Sequence, residues 1–193
     1  MSKEVQIQPL EFISSQQGAK IPLFEIRLNR VRNPRNNYQS TRIVLESPDW
    51  VNVVPLTPEG RVVMVYQYRS GINDITVEIP GGIVDEEEDS LTAAKRELRE
   101  ETGYTSQSWQ YLGAVEPNPA IHNNLCHHWL AVGVQQTEEM DLGQGEDIQV
   151  ECLSIAELRA EIASKRFRHS LALSALARVP EIWNKLKIQE LVE

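Results

Sequence analysis

Acidic residues cluster between Gly82 and Tyr104, where the chain reads GIVDEEEDSLTAAKRELREETGY. If this segment is helical, Glu97, Glu100 and Glu101 are three or four positions apart and project from one side of the helix. Like charges at that spacing repel each other, so the cluster is most simply explained by a bound cation. Carboxylate oxygens suit magnesium or manganese, which keep water molecules that a phosphate group can replace. The segment therefore predicts metal-assisted chemistry on a substrate that contains phosphate.

The same segment carries the signals of a short helix that would position these carboxylates. Asp89 or Ser90 can cap its amino terminus, and Gly103 stands where a left-handed carboxy-terminal cap is wanted. Between these two ends, the helix would carry an apolar stripe formed by Leu91, Ala94 and Leu98. One face of the helix would therefore pack while another binds.

A glycine pair precedes the helix. Gly81 and Gly82 follow Pro80 at the end of a predicted strand, where missing side chains let the backbone come close to a ligand or metal. Arg96 could hold Glu88 by a bidentate pair and so fix this loop against the helix. The alternative is a solvated acidic helix face, which the spacing and the glycines disfavour.

The composition of the whole chain excludes several classes of protein. The 193 residues carry a net charge of −9 and show no dense Lys/Arg cluster, which argues against nucleic-acid binding. Cys126 and Cys152 are isolated thiols without metal-ligand spacing, and no stretch reaches the length of a membrane span. The amino terminus has no long apolar run, so we expect a cytoplasmic protein that binds no membrane and acts on a small molecule.

Most of the first half of the chain is predicted to be β-structure. The alternating or β-branched runs lie at about 4–13, 21–32, 42–46, 49–57, 61–69 and 74–80. Turn residues 16–18 (QQG) and 58–60 (PEG) give the clearest hairpin signals. Further strands are predicted near 109–116, 125–134 and 147–153.

Two helices are predicted to close the chain. One begins at Ser154, with Glu157 completing a capping box, and the other runs from Ser170 towards Lys187 with a kink at Pro180. This order of elements predicts an α/β (α+β) fold, an α/β/α sandwich around a mixed β-sheet. Residues 1–45 would form an N-terminal β arm ahead of a main domain at 46–193.

The acidic segment resembles the Nudix box, a glycine, five residues, a glutamate, seven residues, then Arg-Glu-apolar-x-Glu-Glu-x-Gly-apolar. The matching residues are Gly82, Glu88, Arg96, Glu97, Leu98, Glu100, Glu101, Gly103 and Tyr104, of which only Tyr104 departs mildly by replacing an aliphatic residue. The resemblance implies the Nudix fold. It also implies metal-assisted attack of water on one phosphorus of a pyrophosphate, which releases a nucleoside monophosphate and a phosphorylated fragment.

The resemblance also implies roles for individual residues. The metal, Mg²⁺ with Mn²⁺ as a substitute, would be held by Glu97, Glu101, Glu100 and the Gly81 carbonyl. The general base would be Glu146, because related ADP-ribose pyrophosphatases carry a glutamate in a similar Glu-Asp-Ile segment; an exposed loop acid is the alternative. Glu100 and Arg96 would complete the catalytic set. Structural support would come from Gly82, Glu88 and Gly103.

Residues outside the box indicate the branch of the family. The runs QYR at 67–69 and EIPGG at 78–82 are similar to the segment before the box of ADP-ribose and nucleotide-sugar hydrolases, and Pro119 lies near their marker proline. The surrounding PNPAIHNN differs from the Ser-Pro-Gly turn of those enzymes, which weakens strict ADP-ribose specificity. The expected substrate-binding residues are Arg69, Glu78, Asn118 and Pro119, with Trp50 and Tyr68 able to stack on a base.

Several alternatives stay open at this point. The chain could hydrolyse dinucleoside polyphosphates or nucleoside triphosphates, although the β arm favours nucleoside diphosphate sugars. A non-catalytic nucleotide sensor on the same fold is disfavoured by the intact glutamates. Similar ADP-ribose pyrophosphatases use such an arm to pair with a second subunit, so a homodimer is expected, with an ordinary extension of the sheet as the alternative.

Overall fold

The computed structural model describes residues 7–183. The chain divides into two compact units. Unit 1 comprises Met1–Ser47 and Glu116–Asn124, and unit 2 comprises Pro48–Val115 and Leu125–Glu193. The loop 116–124 thus groups with the N-terminal residues, although it lies within the predicted main domain.

Unit 1 contains an antiparallel sheet of three strands, β1 (Glu11–Ile21), β2 (Phe24–Arg32) and β3 (Gln39–Glu46). The predicted first strand at 4–13 is wrong, since 7–10 are not in a strand and β1 continues to Ile21; residues 1–6 lie outside the described part. The predicted turn at 16–18 is also wrong. Gly18 lies inside β1, where the register shifts between Gln17 and Lys20, and a glycine in a strand commonly marks such an irregularity.

Unit 2 is built on a mixed sheet of six strands. The strands of unit 2 are β4 (Trp50–Leu56), β5 (Arg61–Arg69), β6 (Asp74–Glu78), β7 (Tyr104–Thr105), β8 (Ser108–Val115), β9 (Cys126–Val132), β10 (Gln135–Gln136) and β11 (Ile148–Ser154). The order in the large sheet is β11-β5-β4-β9-β8, with β6 paired to the Val65–Arg69 end of β5, and β4 runs parallel to β9. The short strands β7 and β10 pair with each other.

Helices cover both faces of this sheet and bury separate apolar clusters. On one face α1 (Ser90–Thr102) packs Ala94 and Leu98 against Val53 and Val63. The other face is covered by α2 (Ile155–Ala163), α3 (Ser170–Ala177) and α4 (Pro180–Trp183), whose buried residues include Leu158, Leu176 and Ile182. The predicted α/β/α sandwich around a mixed sheet is confirmed.

The helix ends follow the local sequence in all but one case. Asp89 caps α1 by accepting a hydrogen bond from the Thr92 amide at 2.8 Å, and Ser154 and Glu157 form the predicted capping box. The helix predicted from Ser170 with a kink at Pro180 is instead two helices: α3 ends at Ala177 and Pro180 begins α4, because proline suits the first turn of a helix but not its interior. The predicted extension to Lys187 lies outside the described residues.

None of the helices in the described range is long and apolar enough to cross a membrane.

Gly103 terminates α1 in the left-handed region, with φ 72°, and its N–H donates to the Arg99 carbonyl at 2.7 Å. A Cβ added there would lie 2.2 Å from the Glu138 carbonyl oxygen, whereas Gly60 has φ 74° and nothing within 4 Å of an added Cβ. We expect Gly103→Ala to lower the free energy of unfolding by about 3 kcal/mol and Gly60→Ala by only about 1 kcal/mol. Urea unfolding measures both, and equal losses would contradict the steric argument.

Candidate active site

The segment Pro80–Gly82 lies alongside β4 as a short continuation of the sheet. The amides of Val51 and Val53 donate to the carbonyls of Gly82 and Pro80 at 2.9 and 2.8 Å. An added Cβ on Gly81 would lie 2.2 Å from the Val51 carbonyl oxygen, so only glycine fits this close approach. Because alternate groups of an extended segment face opposite sides, the Gly81 carbonyl is on the side away from β4.

The glycine pair also contacts the carboxylates of α1. The Gly81 N–H donates to Oε2 of Glu101 at 3.0 Å. A Cβ on Gly82 would lie 2.3 Å from Oε1 of Glu97, so this glycine too leaves room for a carboxylate. The backbone of the loop and the acidic face of α1 are therefore in direct contact, whereas the approach of the glycine backbone to a ligand or metal stays a prediction.

Arg96 ties the loop to the helix. Its Nη2 contacts Oε1 of Glu88 at 2.5 Å and its Nε contacts Oε2 at 3.3 Å, which is the predicted bidentate pair. The same guanidinium donates to the Ile83 carbonyl at 2.9 Å and pairs through Nη1 with Glu97 at 2.8 Å and Glu100 at 3.4 Å. One arginine thus holds the loop and partly neutralises the glutamate cluster.

Burial makes the cluster electrostatically costly. Glu101 is only 5% exposed, and desolvation together with the carboxylates of Glu97 and Glu146 raises its pKa to about 8, although the Gly81 N–H opposes this. Desolvation also raises the pKa of Glu97, against the opposing effect of Arg96. A cation at this place would favour the ionised form of both groups.

The donor set fits a hard divalent cation, since it offers carboxylate oxygens and a backbone carbonyl and no softer ligand. As the side chains stand, no three His, Cys, Asp or Glu groups within residues 7–183 are arranged to hold a metal ion. The contacts explain this, because Glu97 and Glu100 are turned towards Arg96 while Glu101 bonds to Gly81. Metal ligation would require Glu97 and Glu100 to exchange the arginine for the cation.

Glu146 lies in an exposed loop before β11. Its Oε2 accepts a hydrogen bond from the Gly143 N–H at 2.8 Å, and its own N–H donates to the Gly143 carbonyl at 3.0 Å. Its carboxylate is close enough to raise the pKa of both Glu97 and Glu101. The loop therefore brings this acid into the electrostatic range of the cluster.

Backbone hydrogen bonds connect the segment before this loop to the end of α1. The Gly103 carbonyl accepts from the amides of Thr137 and Glu138 at 3.0 and 3.2 Å. The Asp141 amide donates to the Glu100 carbonyl at 2.9 Å. Residues 137–141 are consequently attached to the helix that carries the acidic cluster.

Arg69 and the buried Glu78 form a bidentate pair, with Nε–Oε1 and Nη2–Oε2 distances of 2.8 and 2.7 Å, while the arginine side chain stays partly exposed. Glu78 is 1% exposed; burial opposes its ionisation, but Arg69, His169 and the Thr76 hydroxyl outweigh burial and lower its pKa. Arg69 in turn feels the charges of Glu101 and Glu146, which help to raise its pKa. The arginine predicted from the QYR run thus lies within electrostatic range of the cluster.

Sequence reasoning missed the two further partners of Glu78. The Thr76 hydroxyl bonds to Oε1, and Nε2 of His169 lies 3.4 Å from Oε2. Thr76 could have been found from its place two positions before Glu78 on β6, on the same face of the strand. His169 is 91 positions further along the chain and left no local signal.

The other predicted substrate residues lie in different surroundings. Tyr68 is exposed and its hydroxyl bonds to Asn73 at 2.6 Å, whereas Trp50 is half-buried at the start of β4. Asn118 and Pro119 belong to unit 1, where the Asn118 carbonyl accepts from the amides of Ile121 and His122 in a turn. Their roles towards a substrate stay predictions.

The adjacent histidines of β9 have different surroundings, which disfavours a zinc pair. Nε2 of His127 contacts Asp49 at 3.0 Å and Nδ1 contacts the Tyr111 hydroxyl at 2.9 Å. His128 is fully buried, and burial lowers its pKa to about 4.

Comparison with known proteins gives one consistent family. The NUDIX domain profile matches residues 47–173. The chain is 32% identical over 142 residues to the methanol dehydrogenase activator of Bacillus methanolicus, covering 73% of this chain and 77% of that protein. It is 31% identical over 172 residues to the ADP-ribose pyrophosphatase of Mycobacterium tuberculosis, covering 88% of this chain and 82% of that protein.

A solved structure, the crystal structure of an ADP compounds hydrolase, has the same fold. The two chains superpose with a TM-score of 0.80 at 19% sequence identity, and the matched region covers 92% of this chain and 96% of the solved chain. The profile spans more than half of the chain and includes the whole box and the glycine pair that lies against Glu97 and Glu101. This chain therefore belongs to the Nudix hydrolase family.

Proposed function

We propose that this Nudix hydrolase cleaves the pyrophosphate bond of nucleoside diphosphate sugars, with ADP-ribose as the leading substrate and ADP- or GDP-sugars as further candidates. The observation that carries the proposal is the contact of the α1 carboxylates with the glycine pair, with Arg69 and Glu146 in electrostatic range. The name of the tuberculosis relative, an ADP-ribose pyrophosphatase, supports the choice of substrate.

The residues that would hold Mg²⁺, or Mn²⁺ in its place, are Glu97, Glu100, Glu101 and the Gly81 carbonyl. When held there, such an ion would neutralise charge on the phosphate oxygens and would make a coordinated water more acidic. Arg96 and Glu88 keep the loop fixed to α1, so that the ligands stay in one arrangement.

The other residues act on the water and the diphosphate. Glu146 takes a proton from the attacking water while the oxygen of that water bonds to one phosphorus. The bond from that phosphorus to the bridging oxygen breaks, and a nucleoside monophosphate and a sugar phosphate leave. Arg69 binds the diphosphate, and Glu78 holds the Arg69 guanidinium in place.

Four further residues are assigned to recognition of the base and the sugar. Trp50 and Tyr68 offer ring faces on which a base can stack, and Tyr68 is the more exposed of the two. Asn118 and Pro119 are retained as substrate residues on the sequence pattern alone. A cytoplasmic location likewise stays a prediction from the sequence.

A homodimer belongs to the same proposal. The three-stranded sheet of unit 1 exposes large apolar side chains, among them Ile21 (47% exposed) and Ile43 (53% exposed). Their partners on β2, Phe24 and Leu28, are four positions apart, so Ile21 and Ile43 lie on the same face of the sheet. Apolar side chains on a sheet of only three strands need a surface to cover them, and a second copy of the chain would provide it.

The proposed reaction is tested by a panel of substrates: ADP-ribose, ADP-glucose, GDP-mannose, CDP-choline and a dinucleoside polyphosphate, each with magnesium, manganese or a chelator. We expect nucleoside monophosphate release to be fastest from ADP-ribose and to stop with the chelator. Faster turnover of the dinucleoside polyphosphate would support that alternative instead. Tight binding without turnover of any compound would support a sensor.

Glu146→Gln is expected to lower kcat for ADP-ribose about a hundredfold or more, because the amide cannot accept the proton of the attacking water. The amide oxygen can still accept the Gly143 hydrogen bond, so the loop should keep its conformation. Glu139→Gln is the matched control, an exposed glutamate of the same connection between β10 and β11. A kcat for Glu146→Gln within about threefold of the parent rules out the general-base role.

The double variant Ile21→Glu, Ile43→Glu is expected to convert the dimer to monomers, because it places charges in the apolar interface. Sedimentation velocity at micromolar concentration measures the change. Val132→Glu, at an exposed apolar position of unit 2, should leave the dimer intact. A parent chain that sediments as a monomer would contradict the dimer proposal.

A further inference from the structure

His169 contacts two separate groups of unit 2 through its two ring nitrogens. Nδ1 accepts a hydrogen bond from the Ala172 amide at 3.2 Å, which makes this side chain the N-cap of α3. Because Nδ1 accepts, the proton of the neutral ring is on Nε2. Nε2 lies 3.4 Å from Oε2 of Glu78, so the cap orients a polar N–H towards a buried carboxylate.

Glu78 transmits this contact to Arg69. Both carboxylate oxygens are engaged, Oε1 by Nε of Arg69 and the Thr76 hydroxyl, and Oε2 by Nη2 of Arg69 and by His169. A carboxylate held at both oxygens cannot rotate freely, so the plane of the guanidinium it grips is fixed as well.

The position of this chain of contacts relates it to the proposed chemistry. Arg69 lies close enough to Glu101 and Glu146 for their charges to help raise its pKa. Two residues after Glu78, the chain enters Pro80–Gly82, whose Gly81 N–H binds Glu101. A small rotation of the Glu78 carboxylate would therefore displace Arg69 relative to the acidic cluster.

We propose that His169 is a positioning residue, which acts through Glu78 to hold Arg69 in the orientation that binds the diphosphate. The proposal rests on the proposed function, in which Arg69 binds the substrate. It connects the start of α3, on one face of the sheet, to a reaction centre formed by α1 on the other. A helix cap alone would need only Nδ1, so the two roles of His169 can be separated by substitution.

His169→Asn is the variant that separates them. Asparagine caps helices as well as any residue, so the bond to the Ala172 amide is kept, but its shorter side chain does not reach Glu78. We expect KM for ADP-ribose to rise roughly tenfold, the size expected for one hydrogen bond to a charged group, with kcat within about twofold of the parent. The urea midpoint should be unchanged, whereas His169→Ala should lower it because the cap is lost as well.

A double-mutant cycle tests whether the effect passes through Glu78. Glu78→Gln should raise KM further than His169→Asn does, and the double variant should match Glu78→Gln alone, since His169 then has no charged partner to hold. Arg166→Gln is the control in the same connection between α2 and α3: its exposed pair with Glu161 does not involve Glu78, and KM should not change.

The outcomes separate this inference from the proposed function. If the parent hydrolyses ADP-ribose but His169→Asn has the KM of the parent, or its effect adds fully to that of Glu78→Gln, the positioning role is overturned and the proposed function stands. If the parent turns over no member of the substrate panel, the proposed function is overturned and the positioning role with it.

Discussion

The close approach of the Pro80–Gly82 backbone to β4 on one side and to α1 on the other is the constraint on which the site depends. A Cβ on Gly81 would collide with the Val51 carbonyl oxygen, and a Cβ on Gly82 would collide with the Glu97 carboxylate. The absence of two side chains lets backbone polar groups and carboxylates meet at contact distance. Every other part of the site is placed by reference to this contact, since it fixes where the acidic face of α1 lies on the sheet.

The glutamate cluster would not persist at this contact without compensation. Buried like charges disfavour ionisation, and the raised pKa values of Glu97 and Glu101 express that cost. Arg96 offsets part of it through its pairs with Glu88, Glu97 and Glu100. The same arginine competes with a cation for two of these carboxylates, so arginine pairing and metal ligation are alternative ways of satisfying one set of oxygens.

Sequence reasoning succeeded where the determining interactions are local. The caps of α1 and α2, the turn at 58–60 and the Arg96–Glu88 pair each involve residues within one or two helical turns or one loop. It failed at Gly18, because a glycine in a strand can mark either a turn or a bulge and only the pairing partner decides. It could not find the contact of His169 with Glu78, since no periodicity connects two positions that only the tertiary fold brings together. The box thus predicted the acidic centre of the site, whereas the contacts around that centre are visible only in the three-dimensional structure.

The hydrogen bonds from residues 137–141 to the end of α1 join main-chain atoms only, at the Glu100 and Gly103 carbonyls. Main-chain bonds do not depend on side-chain identity, so the attachment of this segment to the helix is indifferent to most substitutions along it. Only a proline at one of the donor positions would delete a bond outright. The segment leading to Glu146 can therefore diverge widely in sequence among relatives while the backbone that sets its distance from the acidic cluster is preserved.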